Sequence, residues 1–171
     1  TNKIEKDIIK NLDTSKNYVV ALSGGVDSAV LATVVAKQTP NLRSIFVRHN
    51  QEHSKELEEV ANKIANNLKI NHKALDSNLE ENSSETKMRD ARYEILYDEL
   101  DDNEILLTGH TLSDKVETFF INLLRGTRVR GLKSIPKMTQ RLKRPLLGIS
   151  KDSLINYAKE NNIEYLDDVT N

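Results

Sequence analysis

The sequence predicts an α/β fold, a parallel twisted sheet with helices on both faces. Three observations predict it. Short apolar runs alternate with stretches of helical periodicity along the chain. The most distinctive residues, the Ser-Gly-Gly at 23–25, His49 and the Gly-His at 109–110, all follow the ends of apolar runs. The composition, 171 residues with 37% hydrophobic and 30% charged, suits one domain large enough to bury a core.

The elements follow in order. Residues 2–12 predict a first helix. Residues 18–22, YVVAL, are a short apolar run ending in turn residues, as for a buried strand. Residues 27–38 predict a helix broken by Pro40 and Asn41. Residues 43–48 predict a second strand. Across residues 54–68, Leu57, Val60, Ile64 and Leu68 recur at helical spacing, with Ser54 as expected N-cap. Residues 69–75 predict a third strand, 84–100 a charged helix and 104–108 a fourth strand. Residues 113–124 predict a helix stopped at Arg125-Gly126. A short fifth strand is expected within 142–147, and a last helix over 150–161 with Ser150 as N-cap. In such a fold, ligands bind beyond the carboxyl ends of the strands, where the strand order switches.

Composition narrows the chemistry. Cysteine is absent, which excludes disulfides, thiolate zinc sites, a cysteine nucleophile and persulfide chemistry. The longest apolar runs fall far short of a membrane span, and residues 1–10 carry no apolar signal core. No membrane partner is expected, and the expected location is cytoplasmic, or an organelle stroma or matrix in a eukaryote. The start at Thr1 and the polar end DDVTN suggest a domain excised from something longer. The net charge is −1, yet residues 125–144 hold eight basic residues and no acidic one. That asymmetry suggests a polyanion partner, although a solvated loop would look the same.

Ser23-Gly24-Gly25-Val26-Asp27-Ser28 joins a predicted strand to a predicted helix. Glycines let a phosphate approach the backbone, and the helix N-terminus favours an anion. Ser23 and Ser28 could add hydroxyl donors. The stretch is neither G-x-x-x-x-G-K-[ST] nor G-x-G-x-x-G. Asp27 would repel a bare polyphosphate, so its expected role is through Mg²⁺, which takes carboxylate and phosphate oxygens together.

This stretch resembles the S-G-G-x-D-S signature of the PP-loop ATP pyrophosphatases. The resemblance implies an adenine-nucleotide α-hydrolase-like fold, ATP as substrate and cleavage between its α and β phosphates. Further segments are similar to the tRNA(Ile)-lysidine synthase family. Gly109, His110, Asp114, Glu117, Thr118, Leu123, Arg125, Gly126 and Gly131 match one family segment. ETKMRDARY at 85–93, RPLLGISKDSLINYAKENNI at 144–163 and DDVTN at 167–171 match others. This chain departs from the family at Thr111 and Ser113, where a second His and an adjacent Asp are usual. It departs also at Arg48 and Asn50, flanking His49, and at Val169 in place of proline. The resemblance implies that residues 1–171 are an N-terminal catalytic domain lacking C-terminal tRNA-binding domains. It implies adenylation of C2 of the wobble cytidine in a tRNA(Ile) with anticodon CAU. The amine of free L-lysine then displaces AMP to give lysidine.

The expected site residues are these. Ser23, Gly24, Gly25, Val26, Asp27, Ser28 and His49 would bind ATP, and Asp27 would hold Mg²⁺. Asp114 and Glu117, three apart on one helix face, would bind metal or the lysine ammonium, or take its proton. His110 would steady a phosphate or an oxyanion. Arg89 and Arg92 would clamp the α-phosphate or the tRNA backbone. Tyr93 reads as packing. Taken alone, an acidic pair or an arginine pair on a helix is ordinarily a solvated face, and a lone histidine is ordinarily structural. Other readings are a tRNA thiolase or amidating ligase of the same superfamily, or a non-catalytic nucleotide-binding module. A homodimer is compatible with the sequence, which leaves the oligomeric state open.

Overall fold

Parallel pairing alone builds the sheet of the computed structural model, which describes residues 3–48, 54–77, 85–110 and 141–167, the side chains of 85–90 excepted. Strands β1 (Asn17–Ala21), β2 (Leu42–Arg48), β3 (Asn71–Asp76), β4 (Glu104–Leu107) and β5 (Leu142–Lys143) lie in the order β3-β2-β1-β4-β5. Val20 of β1 stands opposite Ser44 on one side and Leu107 on the other. The helices are α1 (Lys3–Ile9), α2 (Val26–Gln38), α3 (Ser54–Leu68), α4 (Glu85–Glu99) and α5 (Lys151–Glu160).

Period-two alternation divides the strand side chains between two cores. Tyr18, Val20, Phe46 and Leu107 pack with α1, α2, α3 and α5. Val19, Ile45, Val47 and Leu106 pack with Tyr93, Leu96, Tyr97 and Leu100 from α4 and its end. Helix α2 is apolar nearly all round, and it is buried nearly all round, flanked by α1, α3 and α5. Helix α3 is amphipathic, with Ala61, Ile64 and Ala65 buried. At the amino end of the strands, Arg43 donates to both carboxylate oxygens of Glu104 at 2.8 and 2.7 Å and to the Glu99 carbonyl at 2.9 Å. The Arg43 hydrogen bond holds the Glu104 carboxyl below the usual carboxylate range.

Among the described residues the expected element order stands, with shifted boundaries. Helix α1 is shorter than 2–12, and Ser54 is the first residue of α3 rather than a cap before it. The fifth strand covers only Leu142–Lys143 of the expected 142–147. Pro145 ends it: the Leu147 N–H bonds the Arg144 carbonyl at 3.1 Å, making a turn that Gly148 leaves with φ +87°. Ser150 caps α5 as expected, accepting the Ser153 N–H at 3.1 Å. The helix expected over 113–124 lies outside the described residues. Among the described residues no helix is long and apolar enough to cross a membrane.

Candidate functional site

The chain leaves β1 towards β2 and β3, then returns to β1's other side as β4. The order therefore switches between β1 and β4, and a crevice opens above their carboxyl ends. Residues 22–25 cross from β1 into α2 at this point, and Gly109-His110 leave β4 beside them. The close approach explains Gly109: a Cβ there would stand 3.1 Å from the Asp27 Cβ and from the Ser28 nitrogen.

The loop is braced from within. The Ser23 N–H donates to Ser28 Oγ at 2.9 Å, and the two hydroxyls are 3.1 Å apart. Gly24 has φ +87°, and a Cβ on it would come within 2.6 Å of the Leu57 carbonyl oxygen. Its own carbonyl accepts the Leu166 N–H at 2.8 Å. Gly24 thus answers to the packing of α3 against the loop, not only to a ligand. Gly25 is the N-cap of α2 and offers no capping side chain, so the first-turn N–H groups face the crevice without one.

A cavity of about 280 Å³ opens here, lined by Ser23, Gly25, Val26, Asp27, Lys151, Ile155, Leu166 and Asp167. Ser28 is buried and is not in that lining, so its hydroxyl serves the loop. Asp27 stands in the first turn of α2 with both carboxylate oxygens 3.0 Å from the Lys151 ammonium. The lining offers two carboxylates, Asp27 and Asp167, a donor set that fits Mg²⁺, which keeps several waters and takes one or two carboxylates plus phosphate oxygens. Among the described residues no group of three His, Cys, Asp or Glu could enclose a metal.

His110 is held from two sides. Thr108, buried at the end of β4, places Oγ1 at 3.0 Å from His110 Nδ1. The Tyr93 hydroxyl lies 2.8 Å from Nδ1 and 3.0 Å from Nε2, with the two rings stacked at 5.7 Å. Tyr93 is 3% exposed, so it does pack, as its place on α4 suggested; it also orients His110. Arg92 precedes it on α4, partly buried. The Arg89 side chain, His49, Asp114 and Glu117 lie outside the described residues, as do residues 125–140 of the basic stretch. Of that stretch, Arg141 bonds the carbonyls of Glu104 and Asp101, and Lys143 bonds that of Asn11. Both of these basic side chains bond backbone carbonyls of the fold.

Sequence reasoning missed Lys151, Thr108 and the second role of Tyr93. Asp167, like Lys151, falls within a matched segment that assigns it no task. Only the Ser150 cap hinted at Lys151, by placing a lysine at the start of a helix that points at the loop.

A family profile described as a PP-loop domain matches residues 1–171. The chain belongs to the PP-loop domain family. The match spans the whole chain, the braced turn at residues 23–28 included. A tRNA(Ile)-lysidine synthase of Coxiella burnetii is 37% identical over 95% of this chain and 39% of its own length. One from Buchnera aphidicola is 37% identical over 97% of this chain and 40% of its own. One from Haemophilus ducreyi is 30% identical over 99% and 41%. The chain spans about two fifths of the length of these curated relatives. In fold, it is similar to an NH3-dependent NAD synthetase from Campylobacter jejuni, with TM-score 0.62, 22% identity and coverage of 94% and 73%. It is similar also to an NMN synthetase from Francisella tularensis, with TM-score 0.60, 17% identity and coverage of 94% and 70%. These likenesses bear on the PP-loop fold alone.

Proposed function

We propose that this PP-loop domain is the catalytic domain of a tRNA(Ile)-lysidine synthase. The observation that carries the reading is identity of 30–37% to proteins of that name across nearly the whole chain, PP-loop included. The substrates would be ATP, free L-lysine and a tRNA(Ile) with anticodon CAU. Residues 1–171 would act with further C-terminal domains that grip the tRNA, in the cytoplasm, as a monomer or a homodimer.

The residues divide the work as follows. The first turn of α2 directs N–H groups at the phosphates, and Ser23 adds a hydroxyl from the cavity wall. Asp27 would hold Mg²⁺, which supplies charge neutralisation as pyrophosphate leaves. His110, oriented by Tyr93 and Thr108, would donate to oxygen where negative charge develops. Asp114 and Glu117 would hold the lysine ammonium and accept its proton, freeing the amine to attack C2 of the cytidine. Arg89 and Arg92 would pair with the α-phosphate or the tRNA backbone. His49 would border the nucleotide. The basic residues between 125 and 140 would meet tRNA phosphates.

The test mixes the protein with ATP, Mg²⁺, labelled lysine and a CAU-anticodon tRNA(Ile) transcript, with a methionine tRNA as control. Lysine label in tRNA(Ile) alone is expected. Absence of label with the full-length protein overturns the proposal. ATP binding without any exchange of pyrophosphate into ATP would favour a non-catalytic module.

A further inference from the structure

Lys151 occupies a position that simple helix electrostatics disfavours. It is the first residue of α5, directly after the Ser150 cap, where a positive charge opposes the helix dipole. Its ammonium reaches across 124 positions of sequence to both oxygens of Asp27, at 3.0 Å each. The pair is part exposed, with 46% and 27% of the two side chains accessible, and such pairs add little to stability. A costly position with little stabilising return points to a task at the cavity that Lys151 lines together with Ser23, Gly25 and Asp27.

The charges define that task. With Lys151 on both oxygens of Asp27, the carboxylate is engaged by one cation already. A magnesium ion arriving with a triphosphate needs at least one of those oxygens. Sharing that oxygen weakens the hold of the lysine on it, and an incoming phosphate chain brings more negative charge to the cavity than the Asp27 and Asp167 carboxylates that line it. Four flexible methylenes let the ammonium move between carboxylate and phosphate without any backbone shift.

We propose that Lys151 is the phosphate-binding cation of this site, supplied from α5 rather than from the loop, and that it passes from Asp27 to the β and γ phosphates when Mg–ATP enters. This rests on the reading of the loop as an ATP site and adds a residue to it. The Asp27–Lys151 pair is then the resting form, in which the lysine keeps the carboxylate oriented until the ligand exchanges partners with it.

Equilibrium binding of ATP, pyrophosphate and AMP with Mg²⁺, to the wild type and to K151M and K151Q, tests the assignment. Loss of a charge-assisted contact predicts that both variants weaken ATP and pyrophosphate roughly 10- to 100-fold. AMP, which lacks the β and γ phosphates, is expected to bind both variants at the wild-type level. ATP and pyrophosphate binding unchanged in either folded variant overturns the assignment. So does an equal loss for ATP and AMP, which would mark a structural role. A wild type that binds neither ATP nor pyrophosphate would instead overturn the nucleotide reading, and the assignment with it.

Discussion

The two faces of the sheet are built differently. One face carries α1, α2, α3 and α5 over a continuous core, and α2 within it is buried on nearly every side. On the other, the described cover is α4 alone, seated on Val19, Ile45, Val47 and Leu106. The loop at residues 23–28 grows from the first face and is locked by that core: Gly24 abuts Leu57 of α3, and the Leu166 N–H bonds its carbonyl. His110 belongs to the second and is steered by side chains, Tyr93 and Thr108. The loop at residues 23–28 is thus held by backbone packing, whereas His110 is aimed by side-chain hydrogen bonds that the loss of a single atom removes.

Four substitutions sharpen or break that contrast. The largest effect is expected from Asp27→Ala: AMP release should fall on the order of 10²-fold or more, since loss even of groups that only support a metal ligand costs 10- to 100-fold. Turnover at the wild-type level would refute the metal role of Asp27, and an intact thermal transition would show that the fold survives. Gly24→Ala should be the costliest for stability on the loop side. The left-handed backbone and the clash with Leu57 predict a loss of about 2–3 kcal/mol, readable as a drop of several degrees in melting temperature. An unchanged melting temperature would mean that the loop is not locked as described.

On the α4 face, Glu104→Gln should cost about 1–2 kcal/mol at neutral pH by weakening the Arg43 pair. Its pH signature is sharper. The Glu104 pKa is lowered in the folded state, so its stabilisation is present above the unfolded carboxylate value of about 4.3 and is lost as pH falls through the lower folded value. The variant should therefore show a flatter decline in urea-unfolding free energy as the medium is acidified below that value. Parallel curves for the two proteins would count against the Arg43 assignment. The smallest effect belongs to Tyr93→Phe, which keeps the ring packing and removes one hydroxyl. A fall in kcat of roughly 2- to 10-fold is expected, with little change in the KM for ATP. A change in KM alone would place Tyr93 in binding rather than in steering His110.

Much of this was legible in the sequence because it is local. Alternating apolar runs gave away the parallel sheet, and the Ser150 cap marked α5 to the residue. The stretch from Ser23 to Ser28 marked the turn between β1 and α2 through residue types at fixed spacing. What escaped depends on distant partners. Lys151 is one of 25 basic residues, and nothing near it in sequence tells that Asp27 lies opposite. Tyr93 on a helix reads as packing until β4 brings His110 to its hydroxyl. The order β3-β2-β1-β4-β5, which puts Gly109 against Asp27, is likewise a property of assembly, not of any one segment. Ser28 has a second task that the sequence did not show: its hydroxyl oxygen accepts the Ser23 N–H and braces the loop.

The central claim is that this loop holds ATP for cleavage between the α and β phosphates, coupled to lysine transfer. The most direct measurement resolves the nucleotide products formed from α-labelled ATP in the presence of lysine and CAU-anticodon tRNA(Ile). AMP and pyrophosphate are expected, one of each per lysine incorporated. Production of ADP and inorganic phosphate, or AMP without lysine in the tRNA, would contradict it.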